Sequence, residues 1–535
     1  MRIYNVICRI FSMIMLCILS FLFVISLIST TYISEVETVY YVSDRPYIHF
    51  LVMLFVIVCM YFLKDKLKLT NKTIFVIGVI ITIVLAIFIL ASMFYPRFDQ
   101  RHVMNIAAQM LAGDYTEFKI GGYAEIYPYQ NGLLLFYEVL ALIFGTNNLV
   151  AIQFMNLFFI IMAYWALFLV NRLLMQKYLY TAMFTMLFLP LWGFVSLIYG
   201  NVPAFSFGMF GLYFALKFIK DRKWIELLAG CVCMMLSCIL KMNFMILLIA
   251  IIIITVMDTI KKKDFRILIM PIVMTIFVLA GDKGVDLIIH QQTGAKITEG
   301  IPAITYVAMG LHEHSYRGAG WHDNYPENTY EQYKGNAQVV SEKAMEDIKL
   351  SFENFEQHPQ YMVGFFIRKI ASMWNEPSYD SLSMQMDRNS VMGTPPFWIG
   401  MLVNKGPVNS FLYQIMNLME SWIMVGAFAY YIFHFKKEDF VDNIFALFFV
   451  GGFLCHLLWE ASSQYAIFYV MLLIPYATMG FMDIVNKIAV TQKKNLLISF
   501  FAVAFGIGIL SIPELTTFLT LNRSDALYLE YLNMR

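Results

Sequence analysis

The segment Tyr95-Pro96-Arg97-Phe98-Asp99-Gln100-Arg101 puts a carboxylate a few residues past the end of a long apolar run, where water and lipid headgroups meet. A carboxylate there can act as a general base toward a hydroxyl, or it can pair with Arg97 or Arg101 at a helix end. The stretches Ala112-Gly113-Asp114-Tyr115, Gly121-Gly122-Tyr123 and Tyr127-Pro128-Tyr129-Gln130-Asn131-Gly132 follow, rich in glycine, tyrosine and amides. That composition suits a sugar-binding cleft better than a tether and makes Asp114, Tyr127 and Gln130 candidate binding residues. Lys241 interrupts a long apolar stretch; its ammonium can balance an anion such as phosphate, or snorkel to the headgroups. A further polar island is Leu458-Trp459-Glu460-Ala461-Ser462-Ser463-Gln464-Tyr465. Between these lies His312-Glu313-His314-Ser315-Tyr316-Arg317, then Gly320-Trp321-His322-Asp323. Imidazole and carboxylate are good metal ligands, but the spacing of His312, His314, His322 and Asp323 matches no metal template, and no metal is expected. Trp321, Trp374 and Tyr325 suit sugar stacking or a membrane interface, and Arg317 is either an anion ligand or a solvated loop residue.

The elements that must hold these residues follow from composition. With 60% hydrophobic and 14% charged residues in 535, the chain needs lipid as its solvent. Apolar runs near the ~20 residues needed to cross a bilayer recur along it, which predicts an all-α polytopic membrane protein and excludes a β-barrel. A net charge of +1 offers no hint of nucleic acid. Cys8, Cys17, Cys59, Cys231, Cys233, Cys238 and Cys455 all fall in or beside apolar runs and read as packing residues. The first run, Ile7 to Ile28, reads as an uncleaved anchor.

Short connections rich in lysine and arginine belong on the cytoplasmic side: Lys64 to Lys72, Lys217 to Lys223, Lys261 to Arg266, Lys436 with Lys437, and Lys487 to Lys494. They frame about thirteen spans: residues 8–29, 48–63, 73–95, 150–170, 178–198, 202–218, 224–240, 243–258, 266–281, 410–433, 442–458, 465–482 and 495–512. The short run 131–144, which carries Glu138, reads as re-entrant or juxtamembrane. Four regions result: membrane helices in 1–72, readable as an appendage; a membrane core in 73–281 with an outer loop at 96–130; a large extracytoplasmic loop at 282–409; and membrane helices with an outer tail in 410–535. Lys241 then sits at an outer turn, and 360–374, apolar with Arg368 and Lys369, reads as a helix lying at the surface.

The acid after a transmembrane helix, the Gly113-Asp114-Tyr115 turn and the Tyr127-Pro128 segment leading into a short apolar helix look like the GT-C glycosyltransferases. That superfamily includes the protein O-mannosyltransferases and the lipid A aminoarabinose transferases. More closely, the chain resembles multi-spanning glycosyltransferases of Gram-positive bacteria, through Ser196-Leu197-Ile198-Tyr199-Gly200-Asn201-Val202-Pro203 and Ala308-Met309-Gly310-Leu311 followed by Gly320-Trp321. The resemblance runs from about Lys72 to Met482. It implies a GT-C-like fold in a bacterial plasma membrane and an inverting transfer of a sugar from a polyprenyl-phosphate carrier to a cell-envelope glycan, lipid or protein on the outer face. No cofactor is implied. Asp99 matches the acid that deprotonates the acceptor, and Lys241 is placed to balance the carrier phosphate. Glu460 and Gln464 fall in a segment similar to a Glu-x-x-x-Arg-Tyr pattern of these enzymes, with Gln464 where arginine is usual, so a bidentate charged grip is missing. Arg317 is the expected substitute. Two other classes fit the same helices: a transporter or flippase of lipid-linked sugars, which would place ionisable residues within spans as Glu420 does, and a polysaccharide polymerase or ligase, which would not need the early Asp99 loop.

Overall fold

In a computed structural model the described residues are helical almost throughout, apart from one antiparallel hairpin, Ser29–Ile33 against Val39–Ser43. The structure describes residues 2–34, 37–63, 68–92, 94–313, 317–382, 395–403, 406–435 and 439–490. The expected span 495–512, and His314 of the candidate metal set, lie outside them.

Eight helices are long and apolar enough to cross a membrane: Tyr4–Ile28, Asn71–Ser92, Leu149–Leu174, Asn201–Asp221, Met242–Lys262, Phe265–Thr293, Pro407–Phe433 and Val441–Leu458. The number rises to ten if two bent pairs each count as one span: Tyr178–Met186 with Leu189–Ser196, and Ser463–Met471 with Ile474–Lys487, each bent by 49°. The second halves carry Pro190 and Pro475 at their starts. Proline lacks the N–H that would bond back to the preceding turn, and each stands second in its half-helix, so both spans break just before it. Pro46–Phe62 and Trp224–Leu240 are apolar but shorter. The protein is therefore a multi-pass helical membrane protein with eight to ten candidate spans among the described residues, where twelve of the thirteen expected would fall.

The run at 131–144 is one helix of 14 residues, Asn131–Phe144, about 21 Å long and short of a hydrocarbon core of about 30 Å. Its Glu138 is buried and accepts a 2.7 Å bond from Gln292 of Ile269–Thr293, a helix that continues well past the expected end at residue 281.

The large loop folds into Ile304–Gly310, Tyr325–Gln332, Ala337–Gln357, Pro359–Trp374 and Phe397–Val403. Two small apolar clusters hold it together. Ile301, Tyr306, Met309, Tyr330 and Val340 form one, and Leu311, Ala319, Phe355 and Phe365 the other. The helix Pro359–Trp374 departs from the surface position expected of it: everything from Arg368 to Trp374 is buried. Arg368 forms a bidentate pair with Glu313 at 2.6 and 2.7 Å, and Lys369 donates to backbone carbonyls. Trp374 packs among Phe449, Phe453 and Tyr469, as core rather than as a stacking platform. Buried charge is tolerated here because each group has a partner from a distant segment, which sequence spacing does not display.

The N-terminal hairpin is stitched onto the same helix. Thr31 N–H donates to Asn375 O (3.0 Å), Tyr41 OH to Arg368 O (3.0 Å) and Tyr413 OH to Thr31 O (2.7 Å). The first two helices thus continue directly into the body of the protein.

Candidate active site in a cavity at the helix ends

Asp99 stands in the first turn of Phe98–Leu111. The chain enters this helix through Phe98 at φ 45, a left-handed conformation that costs a non-glycine residue free energy and persists only where neighbours enforce it. Two residues on, the buried Gln100 Oε1 accepts the N–H of Ile198 at 2.9 Å. That bond ties the helix start to the Ser196–Pro203 segment. As a result Tyr199 OH donates to Asp99 Oδ2 at 2.9 Å while receiving a bond from Gln130 Nε2 at 2.5 Å. Asp99 forms no ion pair among the described residues, so the Arg97 and Arg101 alternative is not what holds it; Arg97 lies over the Phe98 ring at 4.8 Å.

Lys241 caps the helix Trp224–Leu240 in extended conformation, and its Nζ lies 3.8 Å from the centre of the Tyr199 ring. A cation over an aromatic face is attracted by the ring quadrupole. Among the described residues no carboxylate lies within ion-pairing distance of it. Burial pushes the Lys241 amine down to about 8, with the charges of Asp99 and Glu460 pulling it back up. Tyr199 thereby joins carboxylate and ammonium through one side chain.

These groups open onto a cavity of about 780 Å³. Its lining includes Asp99, Tyr127, Gln130, Lys241, Arg317, Trp321, Glu460 and Gln464, residues from five separate stretches of sequence. Asp114 is not among them. It sits on the exterior, where Oδ1 accepts the N–H (3.0 Å) and hydroxyl (2.8 Å) of Thr116, and those bonds hold its carboxyl below the usual range. The composition signal that picked Asp114 is that of a tight turn, which uses aspartate for its own backbone.

On the outer side, Tyr127 OH donates to Glu327 Oε1 at 2.6 Å, and His322 Nε2 lies 3.2 Å from the same oxygen. Burial disfavours the imidazolium, but the Glu327 bond and the charges of Glu460 and Glu327 outweigh it and raise His322 to about 9. His312 instead packs edge-on against Tyr325. Arg317 is engaged by Glu37 of the N-terminal hairpin, so the substitute expected for the missing arginine already holds a carboxylate. Trp321 is buried, its indole N–H donating to Ser372 Oγ at 2.8 Å. Glu460 is half-buried, with Tyr465 OH at 3.4 Å, and burial pushes its carboxyl up. Tyr306 stacks on Trp459 (5.5 Å, 12°) and meets Tyr129 hydroxyl to hydroxyl at 3.0 Å.

Beside Lys241 a recess of about 20 Å³ is lined by Asn201, Asn243 and Gln464 together with aromatic rings. Three helical segments start around it, Asn201–Asp221, Met242–Lys262 and Ser463–Met471, and Asn201 Oδ1 is buried without a protein partner. Helix starts carry unsatisfied N–H groups and partial positive charge, a setting that favours an anion. The far ends of two of these helices carry the basic connections: Arg222 pairs with Asp264 (3.0 Å) and Lys261 with Asp439 (3.3 Å). A 21-residue helix such as Asn201–Asp221 is about 30 Å long, so cavity and basic loops lie a bilayer's thickness apart.

Tyr199, Glu327, Tyr306 and Trp459 are site residues that sequence reasoning did not single out. Tyr199 and Trp459 lay inside motif segments already marked. Glu327 and Tyr306 had no signal beyond membership of the one polar loop. Comparison with protein families, with curated proteins and with solved structures finds no match to this chain.

Proposed function

We propose that the cavity catalyses inverting transfer of a sugar from a polyprenyl-phosphate carrier to a hydroxyl acceptor of the cell envelope, on the non-cytoplasmic face, in a GT-C-like arrangement. One observation carries the reading: a carboxylate and a carboxylate-free ammonium share Tyr199 inside a cavity at the helix ends opposite the basic loops. Asp99 takes the proton of the acceptor hydroxyl. The acceptor oxygen then bonds to the anomeric carbon as the bond from that carbon to the phosphate oxygen breaks. The carrier phosphate departs as a stable anion and needs no proton, only positive charge. Lys241, the N–H groups of three converging helix starts and the Gln464 amide supply it, in place of an arginine fork. The bond from Tyr199 to Oδ2 fixes the carboxylate so that Oδ1 faces the acceptor. Tyr127, Tyr129, Tyr306 and Trp459 offer ring surfaces, and Glu460 a hydrogen-bond acceptor, for sugar hydroxyl and C–H groups.

The test is transfer in membranes from labelled polyprenyl-phosphate sugars, comparing wild type with Asp99→Asn at equal expression. General-base assistance predicts a loss of about 10²- to 10⁴-fold. Undiminished transfer by the variant would remove Asp99 from the mechanism. Movement of labelled carrier across the bilayer without transfer would instead favour a flippase, for which Glu420, buried within the span Pro407–Phe433, is the residue to pursue.

A further inference from the structure

Three stretches of chain, two from the large loop and one from beyond it, meet at one buried amine. Lys369, on the helix Pro359–Trp374, is 1% exposed. Its Nζ donates to Gly310 O, the last residue of Ile304–Gly310, and to Trp459 O at 2.8 Å, one residue past Val441–Leu458. The third stretch is Gly320–Trp321. Gly320 has φ 71, and a Cβ placed on it would come within 2.9 Å of Lys369 Nζ and 2.7 Å of Gly310 O, so only glycine lets the loop pass this close.

Backbone bonds complete the knot. Gly320 N–H donates to His312 O (2.7 Å), and Ala461 N–H donates to Gly320 O (2.8 Å). Each tied stretch presents a cavity residue: Tyr306 from the first, Trp321 and His322 from the second, Trp459 and Glu460 from the third. No residue of the inner wall, Asp99, Gln130, Tyr199 or Lys241, bonds to Lys369 among the described residues.

An apolar residue of similar length would fill the volume but leave Gly310 O and Trp459 O with no donor from this helix. We infer that Lys369 is a positioning residue that ties Gly310, Gly320 and Trp459 together and thereby sets the aromatic and acidic outer wall of the cavity against the Asp99 and Lys241 wall. The acceptor, which approaches from the outer wall, depends on this spacing; the carrier phosphate at Lys241 does not. That assignment of acceptor and phosphate rests on the proposed transferase reading, whereas the tie itself does not.

The experiment is hydrogen exchange on the purified full chain, followed by peptide, for wild type, Lys369→Met and Gly320→Ala. The glycine variant disturbs the same knot from its other side and serves if the lysine variant does not fold. Loss of the donor that serves two carbonyls predicts exchange about tenfold faster or more in 304–322 and 459–465. Residues 98–111 and the turn at Lys241 should keep wild-type rates. In the transfer assay the acceptor KM should rise while the donor KM holds. Unchanged exchange in 304–322 and 459–465, or an equal rise at 98–111, would overturn the inference. Exchange judges Lys369 even if wild type transfers no sugar, an outcome that would sink the transferase reading alone.

Discussion

On the outer wall of the cavity the cations are engaged: Arg317 meets Glu37, His322 meets Glu327, and behind them Arg368 meets Glu313 and Lys369 meets two carbonyls. On the inner wall Lys241 has the face of Tyr199 and no carboxylate within pairing distance among the described residues. Both walls bury positive charge, but on one the fold supplies each group with carboxylate or carbonyl partners and on the other it supplies Lys241 with an aromatic face. A partly buried amine without a counter-ion costs stability, and folds keep such groups where a ligand repays that cost. The contrast separates residues that build the site from residues that use it.

The comparison is broken most directly at its extremes. Lys241→Met should lower transfer by about 10²- to 10³-fold, the scale seen when a preorganised electrostatic group is removed. Thermal stability in detergent should hold or rise, because a buried charge has been taken away. Wild-type transfer should also fall as pH rises through about 8, where Lys241 loses its proton. Equal losses of stability and activity would show that Lys241 belongs with the structural cations after all.

Glu313→Gln tests the other wall. It leaves the buried Arg368 guanidinium without its bidentate partner and should destabilise the fold by about 3 kcal/mol, read by denaturation. A fully folded variant with weakened transfer would blur the distinction between the walls.

Glu327→Gln should give a smaller effect with a defined pH window. His322 is raised from 6.5 to about 9 in the folded state, so its contribution is complete below 6.5 and lost as pH rises through about 9. Glu327 is held below its ordinary 4.5, so its share is present above 4.5 and lost as pH falls further. The Tm difference between wild type and variant should therefore peak between these limits and close toward pH 9 and above. A difference that persists unchanged at pH 10 would assign the pair another role. Least affected should be Asp114→Asn, with transfer at the wild-type level and stability within about 0.5 kcal/mol, since the carboxylate only supports an exterior turn.

Much of the site was legible beforehand because polar residues are scarce in this chain and each island of them marks a helix end. Asp99, Lys241, Glu460 and Gln464 were found that way, and they line the same cavity. Asp114 was picked by the same signal, because glycine, aspartate and tyrosine build turns as readily as clefts. The role of Lys369 within the helix expected at the surface had no sequence signal, since its partners are backbone carbonyls 59 and 90 positions away.

Sequence alone determined that the chain lives in a bilayer as a multi-pass helical protein and which connections are basic. Those properties follow from local hydropathy and from the requirement that a backbone in lipid satisfy itself. The two span breaks have an equally local cause in Pro190 and Pro475, although 178–198 and 465–482 were each expected as one continuous span. Tertiary structure alone decided which helix ends converge, that Tyr199 joins Asp99 to Lys241, and which cations are engaged. Pairing of buried charge depends on contacts between distant segments, and no periodicity records it.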